Sequence, residues 1–127
     1  MNIIMLAGRV LISLLFIWSG LGKLMNYGAA IDYINSAGLP FASLAYFIAL
    51  GVELIVAPAL LLGFKTKMAA AIIGAFSVVA AVLFHLHPDD ANQITHFMKN
   101  LTISGGLLYV FAGGGGAYSL DSSLSRN

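Results

Sequence analysis

The chain has 127 residues, of which 60% are apolar and only 9% charged, with a formal charge of +1. Soluble domains carry about 25% charged residues, and a globule this small has a large surface relative to its core. Six basic and five acidic side chains cannot cover such a surface, so it must face lipid. The near-neutral balance excludes nucleic-acid binding, which needs a basic patch. The absence of cysteine excludes disulfide relays, Fe–S clusters and thiolate metal sites within this chain. A single all-α domain with no linker is expected, embedded in a membrane.

A helix needs roughly 20 mainly apolar residues to cross the hydrocarbon core. Four stretches qualify, at about 3–24, 44–62, 68–85 and 94–112, and they predict a four-helix bundle. Transmembrane strands would alternate apolar and polar residues, whereas these runs are continuous. The first run has the apolar core of a signal peptide, but no charge precedes it and three more spans follow. Between the first two spans, residues 27–37 predict a short interfacial helix. Asn26 offers its N-cap, Gly38 and Pro40 stop it, and Ile31 and Ile34 share its apolar face. Ala70/Gly74 and Ala71/Ala75 on the third span, with Ser104, Gly105 and Gly106 on the fourth, mark close helix packing. The four glycines Gly113–Gly116 read as a flexible exit to a polar tail of residues 113–127.

Lys65 and Lys67 lie in the turn between spans two and three, and Arg126 lies in the tail. The opposite loops carry Asp32, Asp89 and Asp90. The positive-inside rule therefore places both termini in the cytoplasm.

Charge inside hydrocarbon costs about 2.5–3.5 kcal/mol per residue on insertion scales. Arg9, Lys23, Glu53 and Lys99 fall inside spans and need a reason. Glu53 sits near the middle of the second span, and Pro58 should disturb the helix beside it. Arg9, Ser13, Phe16, Gly20 and Lys23 share one face of the first span, while His96, Lys99, Asn100 and Ser104 share one face of the fourth. By axial rise, Arg9 and Lys99 lie roughly 7 Å to either side of the midplane. Both are expected to reach Glu53. Two readings stay open: ion pairs that fix the bundle's register, or a buried polar site built from Arg9, Glu53, His96, Lys99 and Asn100.

Lys23 reads as an anchor at its helix end, and Trp18 as a core residue, since aromatic rings bury large areas. Either could also edge the polar site, as could His85. His85, His87, Asp89, Asp90 and His96 gather at the outer face. Such residues can hold a transition metal, and His85 and His96 could ligate a haem across two helices. The spacing matches no tight zinc motif, so ordinary interfacial imidazoles without metal are expected.

Several motifs recur together in one family. They are Gly8-Arg9, Gly20-Leu21-Gly22-Lys23-Leu24, Ala37-Gly38-Leu39-Pro40, Glu53 in the second span, Leu62-Gly63-Phe64-Lys65-Thr66, Phe84-His85, and the run from Met98 to Gly106. In this order and spacing, over about residues 8–121, the chain resembles the DoxX family of small four-helix membrane proteins. The resemblance implies a bacterial inner-membrane bundle associated with quinol oxidation, thiosulfate:quinone oxidoreduction or oxidative-stress defence. With no cysteine to carry electrons, a bound quinone or a partner protein would carry them. Three functions follow: a quinone- or quinol-interacting redox subunit, a non-enzymatic accessory or assembly protein whose small-residue faces dock a larger partner, or a small proton-coupled carrier using Glu53, which would form a pore as an oligomer or by opening strongly. Whether the chain is an enzyme is left open.

Overall fold

The computed structural model describes residues 1–127, and the molecule is entirely helical. Its elements are α1 (Asn2–Met25), α2 (Tyr27–Ser36), α3 (Ala42–Leu62), α4 (Thr66–His85), α5 (Ala91–Gly113) and α6 (Leu120–Ser125). Helices α1, α3 and α4 are long and apolar enough to cross a membrane, and only 22–33% of their apolar windows is buried within the protein. The rest faces outward, with large side chains such as Leu11, Ile55 and Val79 exposed. That pattern suits lipid and not water. Helix α5 matches them in length but carries Gln93, His96, Lys99 and Asn100 in its first half, which makes it the most polar of the four.

Two tight pairings build the bundle. Helix α1 packs on α3, and α4 packs on α5 along most of its length. The α4–α5 seam is closed by Ala70, which is buried, and by Gly74, whose Cα faces Leu107. Ser104 Oγ donates to the Gly74 carbonyl at 3.0 Å. The parallel pair Ala71/Ala75 instead points outward; one small-residue stripe is buried in this seam and the other is exposed. The core joins Phe16, Val52, Leu60, Ala70, Ile73 and Leu107.

Pro58 shapes α3. It lacks an N–H, so an uninterrupted α-helix would leave a carbonyl one turn back without a partner. The chain widens into a π turn over Val52–Val56, in which the Ala57 N–H reaches back to the Val52 carbonyl. Glu53 lies on that turn. Such π turns recur at functional positions.

The polar tail is not a loose exit. Gly114 and Gly116 take positive φ, the left-handed region that favours glycine. They turn the chain back so that α6 docks on the α3–α4 turn. At Gly115 a Cβ would sit 2.7 Å from Thr66 Oγ1. The glycines therefore form a close-packed return, which corrects the expectation of flexibility. α2 folds across the opposite end of the bundle, with Ile34 buried and Tyr33 stacked on Phe84 of α4 at 5.3 Å.

Candidate functional site

The polar residues divide between two places. At the end holding both termini, Arg9 is buried, and its guanidinium donates to the carbonyls of Leu60 at 3.1 Å, Leu61 at 2.9 Å and Tyr118. The last carbonyls of a helix have no partner within it, so Arg9 caps α3 and ties the tail to it. Gly63 makes room for this: a Cβ there would meet Arg9 Nη1 at 2.5 Å and collide with Ser119. Asp121 completes the joint. Its carboxylate accepts from the backbone N–H groups of Lys65 and Thr66 at 2.7 and 2.8 Å, and from Thr66 Oγ1 at 2.6 Å. Lys65 adopts a left-handed φ of 45°, which aims successive N–H groups at one acid. Partial burial would raise the Asp121 pKa, but the Thr66 and Lys65 hydrogen bonds and the Arg9 charge outweigh it and hold the carboxyl below its ordinary value.

Arg9 is therefore not a partner of Glu53, contrary to the expectation from its face and depth. Axial rise gives depth along a helix, but the long side chain extends toward the helix end, where bare carbonyls compete for it.

Glu53 has a different partner. Lys23 Nζ lies 3.0 Å from Glu53 Oε1 in the chain's single ion pair. Ser19 Oγ donates to the same oxygen at 2.9 Å and accepts from Lys23 at 2.8 Å. Gly20 permits this approach, since a Cβ there would stand 2.8 Å from Glu53 Cβ. The Tyr46 hydroxyl donates to the Lys23 carbonyl at 3.0 Å and fixes the end of α1. Glu53 Oε2 is buried and has no hydrogen-bond partner. Lys23 thus serves as counter-ion rather than as a lipid-interface anchor. Ser19 went unmarked in the sequence, although its i−4 spacing from Lys23 is the signal that finds it.

This triad lines an open-sided cavity of about 680 Å³ among α1, α2, α3, α4 and the first half of α5. Fifteen of its 24 lining residues are hydrophobic, so its chemistry is that of an apolar chamber with a few polar points. Lys99 and Asn100 reach it from α5, His85 from the end of α4, and Tyr33 from α2. Lys99 forms no ion pair. His96 does not line the cavity. Its ring lies 5.2 Å from that of His85, whose Nδ1 is engaged with Gln93 Oε1 at 2.7 Å. No three His, Asp or Glu side chains come together as metal ligands. Trp18 is 79% exposed and is neither core nor cavity wall, because at 3.6 residues per turn it falls on the opposite side of α1 from the buried Arg9–Ser13–Phe16–Gly20 face.

An all-α bundle with several apolar helices long enough to span a bilayer and a chamber opening among them defines an integral membrane protein. Its family follows from comparison. The DoxX family model matches residues 4–86, and the chain belongs to that family. Over 121 residues it is 38% identical to inner membrane protein YqjF of Escherichia coli strain K12, covering 95% of this chain and 92% of that one. It is 32% identical over 124 residues to inner membrane protein YphA of the same strain, covering 94% and 89%. No solved structure matches.

Proposed function

We propose that this protein binds a lipophilic molecule with an oxygen-bearing head, a quinone or quinol, as a component of a membrane redox system in the bacterial inner membrane. The observation that carries the reading is the cavity of about 680 Å³ with the Lys23–Glu53–Ser19 triad in its wall. Ligand sites are typically apolar chambers with a small number of polar groups that fix orientation. Lys23 has a third ammonium hydrogen to give, and Asn100 can donate or accept. Donors of this kind suit a quinone carbonyl. Glu53, with one oxygen unpartnered, is placed to take or return a proton when the head changes its protonation state. The apolar walls suit the ring and the first isoprenoid units.

A short-chain ubiquinone titrated into nanodiscs holding the protein should bind saturably, above the partition into empty discs. Binding should be lost when Ala80→Phe fills the cavity wall, and a variant that binds as the native chain does would rule the chamber out.

The same reading places the end carrying both termini, Lys65 and Lys67 in the cytoplasm. Reporter fusions at either terminus check this: both should be active as cytoplasmic reporters, and an exported signal from either contradicts it.

A further inference from the structure

We infer that the cavity is built for an amphiphile whose head carries an anionic oxygen, and that Lys99 is the residue that holds it. The inference rests on the ligand-binding reading above and narrows it to a class of head group.

The acidic and basic side chains Lys23, Glu53 and Lys99 line the cavity. The Glu53 charge is matched by Lys23 at 3.0 Å, with Ser19 on the same carboxylate oxygen. Lys99 has no carboxylate within ion-pairing distance and makes no hydrogen bond to another side chain. The wall therefore carries one positive charge in excess.

The remaining acids do not supply it. Asp32 is exposed on α2, Asp89 and Asp90 belong to the α4–α5 loop, and Asp121 is engaged at the other end with Lys65 and Thr66. None of them lines the chamber. Lys99 lies eight residues into α5, roughly 12 Å along the axis from its start. An ammonium within the hydrocarbon of a bilayer is costly unless paired or solvated. Its side chain is exposed in the isolated protein, hence reachable. Asn100 beside it offers an amide to a second oxygen. The apolar majority of the wall excludes a small hydrophilic anion as the natural occupant, because most of such an ion's surface would face hydrocarbon.

An anion set against an ammonium forms a charge-assisted hydrogen bond, about twice as strong as a neutral one. The occupant is then a lipophilic weak acid in its ionised form, such as a hydroxyquinone, a quinol anion or a long-chain carboxylate. They share one chemistry, an oxyanion on an apolar body.

The test uses the full chain in nanodiscs of neutral lipid and a matched pair of probes. One is an alkyl hydroxynaphthoquinone, ionised at neutral pH; the other is its O-methyl ether, which keeps the ring and tail but cannot ionise. The ionised probe should bind at least about tenfold more tightly, the lower range for a hydrogen bond to a charged group. The difference should collapse in Lys99→Gln and persist in Lys65→Gln, which lies outside the chamber and controls for general surface charge. Equal affinities in the native protein would overturn the inference while leaving the chamber as a site for neutral quinones. A preference that survives Lys99→Gln would overturn the assignment to Lys99. Saturable binding of neither probe would overturn both this inference and the ligand-binding reading. A decanoate arm distinguishes a carboxylate lipid from a quinone: competition by decanoate supports the shared oxyanion chemistry, and its failure confines the inference to ring oxyanions.

Discussion

Arg9 shows how much one buried cation can organise. It spans three chain segments by donating to Leu60, Leu61 and Tyr118, and it is 1% exposed. The planar guanidinium fork satisfies several carbonyls at fixed angles, whereas a lysine presents a compact point charge. Arg9→Lys should therefore destabilise the protein by about 1.5–3 kcal/mol, the range for lost hydrogen bonds to a charged group. Thermal unfolding in detergent checks this: a midpoint unchanged from the native protein would contradict the role. The buried face of α1 was legible from its 3.6-residue period, and Arg9, Ser13, Phe16 and Gly20 all lie on it. Partner choice was not. Glu53 takes Lys23 rather than Arg9 or Lys99 because α1 and α3 touch at Gly20, where the absent side chain brings Lys23 and Ser19 onto the carboxylate. Depth alone carries no such information.

Among the elements, α6 depends most on one side chain. Asp121 gathers two backbone N–H groups and the Thr66 hydroxyl, and Ser119 caps the helix through Ser122 N–H at 3.2 Å. The Asp121 pKa is depressed in the folded protein. The ionised form is thus the one the fold favours, and its stabilisation is complete above the unfolded value of about 3.9. It is lost as pH falls through the lower folded value. Tail protection from carboxypeptidase-like digestion cannot be read at such pH, so a spin label at Ser125 is the better probe. Label mobility should rise below about pH 4 in the native protein, and Asp121→Asn should show high mobility already at neutral pH. A label equally immobile throughout would contradict the docking. The tail gave little signal in advance: a lone acid after a glycine run has no period, and the run itself reads as looseness until its neighbours are known. α2, by contrast, announced itself through Gly38, Pro40 and its paired isoleucines, and it occupies Tyr27–Ser36. The π turn was foreshadowed by Pro58, though its form follows from how α3 accommodates the missing N–H.

For the whole molecule, composition was sufficient to give the membrane-embedded helical bundle, since so few charges leave no other way to satisfy the surface. The chamber was hidden. Its walls are alanines and aliphatic residues such as Ala30, Ala49 and Ala80, which in sequence resemble ordinary lipid-facing or packing positions. Only when α2 folds over one end and α5 brings Lys99 alongside do they enclose a space. The two ends then have separate tasks: Arg9 and Asp121 lock the termini to the α3–α4 turn, while Lys23, Glu53 and Ser19 furnish the chamber. The central claim is that this chamber takes a quinone-class ligand. It is tested most directly by equilibrium retention of a short-chain ubiquinone on protein-loaded nanodiscs, comparing the native chain with Ala80→Phe at matched folding stability. The account predicts saturable retention by the native protein and none above empty discs for the filled variant. Equal retention by both, or none by either, would contradict it.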